Sequence, residues 1–169
     1  MEITMEKTQD IYLIHFQDPR FRQAFQQYFG ELGIQVKDWE GLFQEIEQDT
    51  RGTRGWLRLQ EGAPQKTVGF IMFCPMELSS WFFTKKAGFI REFWVAEAFR
   101  GQGHGSQMLG MAEQHLLQAG MSQVMLTTNT AENFYLCRGY RRDPGYTAKN
   151  GDPVLVKDLH APEETNPKI

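Results

Sequence analysis

Cysteine is scarce in this chain, with two in 169 residues. Cys74 and Cys137 lie far apart and neither belongs to a CxxC pair, so no disulfide framework is supported and two reduced, half-buried thiols are expected. The four histidines, at positions 15, 104, 115 and 160, form no HExxH pair and no Cys/His cluster, which argues against a metal site. An excess of basic charge is missing too. Lys and Arg number 18 against 21 Asp and Glu, a net charge of −3, and the charges are interspersed rather than gathered into the stripe that phosphate-backbone contact requires, so no nucleic acid partner is expected. No apolar run approaches the roughly 18 residues of a membrane helix. The first ten residues, MEITMEKTQD, lack the basic start and apolar core of a secretion signal. The expectation is a cytoplasmic protein with no membrane partner.

What the chain does contain is enough apolar material for a core: 41% hydrophobic residues, with aromatics at 13%, among them thirteen Phe. Bulky core packing is the expected use of these rings. The length suits one domain, over 1–159, followed by a disordered Pro- and Glu-rich tail over 160–169.

Periodicity and punctuation divide that domain as follows. Ile11–Phe16 reads as a strand. Asp18-Pro19 supplies a cap and a first-turn proline for a helix whose apolar face is Phe21, Phe25, Tyr28 and Phe29, ending near Gly33. Asp38 caps a second helix with Trp39, Leu42, Phe43 and Ile46 on its buried side. Strands at Gly55–Gln60 and Thr67–Met76 flank the turn-rich EGAPQK, and a further strand runs from Gly88 to Val95. Between these last two, Trp81-Phe82-Phe83 is either an exposed patch, at a substrate mouth or dimer seam, or an extension of a strand into the core. A helix over Gly103–Ala119, a strand over Gln123–Thr128 and a short helix over Ala131–Arg138 follow. A hairpin of Tyr140–Arg142 with Val154–Asp158 closes the domain. The predicted order is β-α-α-β-β-β-α-β-α-β-β, an α/β (α+β) class with a mixed, mostly antiparallel sheet flanked by helices.

The stretch IREFWVAEAFRGQGHGSQML, Ile90–Leu109, carries the chemistry. A strand ends near Val95 and a loop of Arg100, Gly101, Gln102, Gly103, His104, Gly105 and Ser106 runs into a helix. The first amides of a helix have no partner within it, and the helix dipole adds positive charge there. Glycines let those amides come close to an anion, and Arg100 offers a charge-assisted contact. A dinucleotide loop would need a third glycine where Ser106 stands and an acid within Met121–Thr128, which has none. A nucleotide P-loop would need a lysine before its Ser or Thr. Both readings fail on those residues.

The segment resembles the R/Q-x-x-G-x-G/A motif of the GNAT N-acetyltransferases at Arg100, Gly103 and Gly105. Further on, Thr130–Tyr140 (TAENFYLCRGY) is similar to the same family's A-x-x-F-Y-x-x-x-G-F segment, with Tyr140 where Phe is usual. The resemblance is strong over Ile90–Tyr140 and limited to element order before that.

This resemblance implies an acyl-CoA N-acyltransferase-like fold. It also implies transfer of an acetyl group from acetyl-CoA to a primary amine, directly in a ternary complex and without a metal. Gly101, Gln102, His104 and Ser106 would join Arg100, Gly103 and Gly105 in holding the pyrophosphate. Backbone groups around Phe93, Trp94 and Val95 would pair with the pantetheine arm, and Asn129 and Asn133 would hydrogen-bond it or a phosphate. Tyr135 becomes the general acid for the departing thiolate. Glu92, a carboxylate in an otherwise apolar strand, is the candidate base for the amine, its rival reading being a charge paired with Arg91. Acids near Glu45–Asp49 could draw in a cationic amine or form a helix's wet face. A small-molecule amine, an aminoglycoside and a peptide amino group stay open as acceptor, as does a homodimer. The alternative is a non-catalytic acyl-CoA-binding module on the same fold.

Overall fold

The computed structural model describes residues 7–160. The strands are β1 (Thr8–Leu13), β2 (Arg54–Gln60), β3 (Lys66–Ser80), β4 (Phe83–Val95), β5 (Gln123–Thr127), β6 (Arg141–Arg142) and β7 (Val154–Asp158). The helices are α1 (Pro19–Glu31), α2 (Trp39–Glu47), α3 (His104–Gln118) and α4 (Glu132–Leu136), with a 3-10 turn at Glu97–Phe99. Hydrogen-bonded neighbours run β1-β2-β3-β4-β5-β7-β6 in one seven-stranded sheet. β1–β2, β2–β3, β5–β7 and β6–β7 are antiparallel, and β4–β5 is parallel. This is the mixed, mostly antiparallel α+β architecture expected, with its elements in the predicted order.

The chain groups into two compact units. The first comprises the residues up to Cys74 with Ile90–Ala112. Its α1 begins as the sequence indicates: the Asp18 side chain accepts from the Arg20 amide at 2.8 Å and Pro19 fills the first turn. The spacing of four between Phe21 and Phe25 sets both rings on one face, at 5.1 and 5.7 Å from Phe70 of β3. Leu57, Leu59, Met72 and Trp94 complete that core, with Phe43 from α2. The rings of this unit are thus mainly core material.

The β3–β4 junction within this unit is unusually close. Ala96 donates to the Val68 carbonyl at 2.8 Å, and a Cβ placed on Gly69 would lie 2.2 Å from the Trp94 carbonyl oxygen. Glycine is required there by contact with backbone, which cannot move aside as a side chain can.

The second unit comprises Pro75–Phe89 and the residues from Glu113 onward. β5 and β7 pair from Gln123↔Asp158 to Thr127↔Val154, and Ala87, Met125, Val154 and Val156 form its small core. The parallel register of β4 on β5 is Gly88↔Val124 and Phe89↔Met125.

Three expectations are corrected. β1 starts and ends three residues earlier than the apolar run Ile11–Phe16, because Thr8–Leu13 is the stretch in register with β2. β3 and β4 are longer than predicted and meet at Trp81-Phe82, so the three rings at 81–83 sit on a hairpin tip at 95%, 89% and 80% exposure rather than in a core. The thiols are not alike: Cys74 is buried and Cys137 exposed. The predicted tail at 161–169 lies outside the described residues.

Candidate active site

In the first unit, β4 ends at Val95 and the 3-10 turn leads to Arg100. Gly101 and Gly103 then take φ values of 75° and 88°, a region that side chains with a Cβ avoid. A Cβ on either would meet nothing within 4 Å. These glycines therefore serve the backbone turn and leave its outer side open. The earliest helical bond near the start of α3 runs from the Gln107 amide to the Gly103 carbonyl at 3.1 Å. The amides of His104, Gly105 and Ser106 precede it, and they are the groups a helix cannot satisfy from within. Such a turn, with the helix dipole behind it, fits a diphosphate.

The side chains of this loop are less available than its amides. Arg100 folds back, its Nε on the Val95 carbonyl at 2.9 Å and its Nη2 on Glu31 at 2.6 Å. Gln102 bonds the Ala98 carbonyl at 3.2 Å. The His104 ring turns inward, its Nδ1 3.2 Å from Arg58. Burial first, and the Arg58 charge second, hold that imidazole below its ordinary pKa, so it stays neutral and accepts from the guanidinium.

Arg58 is a residue the sequence reading missed. It is 5% exposed and reaches both Asp10 oxygens, at 2.8 and 3.0 Å, and Gln107 Oε1 at 2.5 Å. The strand β1 and the first turn of α3 are thereby tied to one buried cation. Nothing in the string Leu57-Arg58-Leu59 beyond a charge between two buried leucines signals this, since its partners lie far off in the chain.

On β4, successive side chains face opposite ways. Glu92 and Trp94 share the face toward α1. The Tyr28 hydroxyl donates to Glu92 Oε2 at 2.5 Å, and burial pushes the Glu92 pKa above the ordinary carboxylate value, opposed by that hydrogen bond and by the charge of Arg91. Arg91 is not its ion-pair partner, because its Nη1 bonds Asp49 at 2.6 Å and Thr53 at 2.8 Å instead. The Trp94 side chain is turned inward. Its indole is buried in the core and bonds Glu31 at 3.1 Å, and its carbonyl abuts Gly69, so it is committed to packing. Since the Ala96 amide is directed to Val68 of β3, alternation points the backbone groups of its neighbour Val95 to the opposite edge. The Arg100 bond to the Val95 carbonyl is made on that edge.

The acids between positions 45 and 49 include two with structural duties. Glu47 accepts from the Phe16 amide at 3.0 Å and contacts His15 at 2.7 Å. Asp49 serves Arg91 and Thr53.

In the second unit, the Thr128 hydroxyl accepts from the Ala131 amide at 3.1 Å, in the turn that leads into α4. Asn129 and Asn133 are exposed. Tyr135 is 7% exposed, with ring centroids 5.1 Å from Phe134 and 5.4 Å from Tyr140. Burial raises its pKa to about 12, and its hydroxyl has no hydrogen-bond partner among the described residues. Tyr140, by contrast, donates to Glu113 at 2.9 Å, and Lys157 donates to the same carboxylate at 3.0 Å. Among the described residues no group of His, Cys, Asp and Glu could hold a metal ion, and no helix is long and apolar enough to cross a membrane.

Comparison with known proteins converges on one family. No curated protein matches the sequence. An acetyltransferase of the GNAT family from Staphylococcus aureus Mu50 is 16% identical, with 91% of this chain and 100% of that one covered and a TM-score of 0.67. The NatC complex bound to Gag peptide and CoA shares the fold at 16% identity, 90% and 99% coverage and a TM-score of 0.61. A KacTA–DNA complex does so at 12% identity, 90% and 93% coverage and a TM-score of 0.60, so the fold by itself does not exclude a nucleic acid partner. The model of the acetyltransferase (GNAT) family matches residues 12–146, which is most of the chain, and the protein belongs to that family.

Proposed function

We propose that this protein is an acetyl-CoA-dependent N-acetyltransferase acting on a primary amine by direct transfer. The observation that carries the reading is the open glycine turn at the head of α3, where Gly101 and Gly103 hold positive φ and nothing crowds their outer side. The amides of His104, Gly105 and Ser106 would hold the diphosphate of CoA. Arg100 would join them by exchanging Glu31 for phosphate. The Val95 amide, on the outward edge of β4, would hydrogen-bond a carbonyl of the pantetheine arm or of the thioester.

An acceptor ammonium is not a nucleophile until it loses a proton. Glu92 takes that proton, and burial, by raising its pKa above the ordinary carboxylate value, makes it a stronger base. The amine nitrogen then bonds the thioester carbon, the carbon–sulfur bond breaks, and the thiolate receives a proton from Tyr135, whose phenolate regains, through solvent, the second proton that the nitrogen sheds as the amide forms. A phenol titrating at about 12 holds its proton at neutral pH and is available as an acid.

A free-thiol release assay with acetyl-CoA over small amines, peptides and aminoglycosides tests the reading. Thiol release dependent on one acceptor class supports it. Tight acetyl-CoA binding with no release over the whole panel replaces it with a non-catalytic acyl-CoA-binding module.

A further inference from the structure

The face of α1 turned to the sheet carries three Phe and one Tyr, and the odd member calls for an explanation. Tyr28 lies one heptad after Phe21, and its ring sits 6.1 Å from Phe25, 5.7 Å from Phe29 and 5.7 Å from Phe70. A phenylalanine would make the same ring contacts. What the tyrosine adds is a hydroxyl, and that hydroxyl donates to Glu92 Oε2 at 2.5 Å. The contact joins residues 64 positions apart, so it is made by the packing of α1 on β4 and not by local sequence.

We infer that Tyr28 is the positioning residue for Glu92, fixing one carboxylate oxygen so that the other is presented to the acceptor ammonium. This deepens the reading above and rests on Glu92 being its base. Tyr28 Oη binds Oε2, and Glu92 has no further hydrogen-bond partner among the described residues, which leaves Oε1 for the incoming group. Three ring contacts hold the phenol on its helix, so the oxygen it fixes does not wander. In the transfer step the carboxylate gains the proton that the ammonium loses, becoming a neutral acid, while Tyr28 keeps its own proton throughout. A hydroxyl donating to a carboxylate favours the charged form. Arg91, the neighbouring charge on β4, acts in the same sense while tied to Asp49 and Thr53, and burial acts against both. Tyr28 therefore holds the carboxyl pKa below the value that burial alone would set.

Tyr28→Phe removes the hydroxyl and keeps the ring. Infrared difference titration reads the protonated carboxyl band of Glu92, assigned by its loss in Glu92→Gln. The midpoint in Tyr28→Phe is expected to move to higher pH by about half a unit or more. CoA affinity by calorimetry and the melting temperature should change little. In turnover assays the acid limb of kcat/KM should move by the same amount, with a loss of roughly threefold or more on the acid side. An unshifted band in a folded Tyr28→Phe protein overturns the inference, whatever the activity. If Glu92→Gln keeps full turnover while the band does shift, the positioning contact stands and the assignment of Glu92 as base is what fails.

Discussion

Glu92 is half-buried and Tyr135 buried, and in both desolvation raises the pKa. The consequences run in opposite directions. For a carboxyl, desolvation raises the pKa and makes the ionised group a stronger proton acceptor; for a phenol it carries the titration further up, to about 12, so the proton stays in place at neutral pH and is held more tightly. Their surroundings differ to match. Glu92 has a hydroxyl fixed on one oxygen, whereas Tyr135 lies between two other rings with its own hydroxyl unpartnered among the described residues. One physical cause thus acts on both residues that the proposed mechanism assigns to the two halves of the transfer.

The comparison is broken most directly at Glu92. Glu92→Gln should lower kcat/KM by about 100-fold or more, the low end of what a positioned base supplies, measured by thiol release with a competent amine. Tyr135→Phe should lower kcat by roughly 10- to 100-fold, by a factor that stays flat between about pH 6 and 9 because the phenol is protonated throughout that range. An unchanged turnover over the same interval would remove Tyr135 from the mechanism.

Smaller effects sharpen the contrast. Gly103→Val forces a β-branched residue into positive φ, at a cost of about 1–3 kcal/mol, and should weaken CoA binding about tenfold in calorimetry. Glu31→Gln releases Arg100 from its ion pair and should tighten CoA binding by roughly two- to fivefold, an exposed pair being worth little in itself. The smallest effect is one of stability. The folded pKa of Glu92 lies above its unfolded value, so the native state binds the extra proton. Its contribution is complete below the ordinary carboxylate pKa and is lost as pH rises through the folded value. Glu92→Gln should therefore flatten the fall of melting temperature over that window, whereas Tyr135→Phe should leave it as it is.

Elements with local punctuation were legible in the sequence. Asp18-Pro19 announced α1, Asp38 announced α2, and the glycine turn before α3 carried the family motif. β1 was displaced because apolar density pointed to Ile11–Phe16, while partnership with β2 selects a stretch that includes Asp10, the carboxylate Arg58 needs. The Tyr28–Glu92 and Arg58–Asp10 contacts span 64 and 48 positions. No periodicity encodes such pairs: they exist only after α1 lies on β4 and β1 on β2. The hairpin tip was left open for another reason: three adjacent rings suit an exposed patch or a core extension equally, and only the turn joining β3 to β4 places them outside.

The crowding at position 69 has a consequence for anyone altering this protein. An added methyl there cannot be absorbed by a rotamer change, because what it strikes is the peptide of Trp94 and the Cα of Val95. The end of β4 would have to give way, and the turn that begins at Arg100 hangs from that end. A substitution remote from every proposed ligand contact would thus be read out as weakened coenzyme capture, and a survey of variants that scored only activity would mistake a wall for a tool.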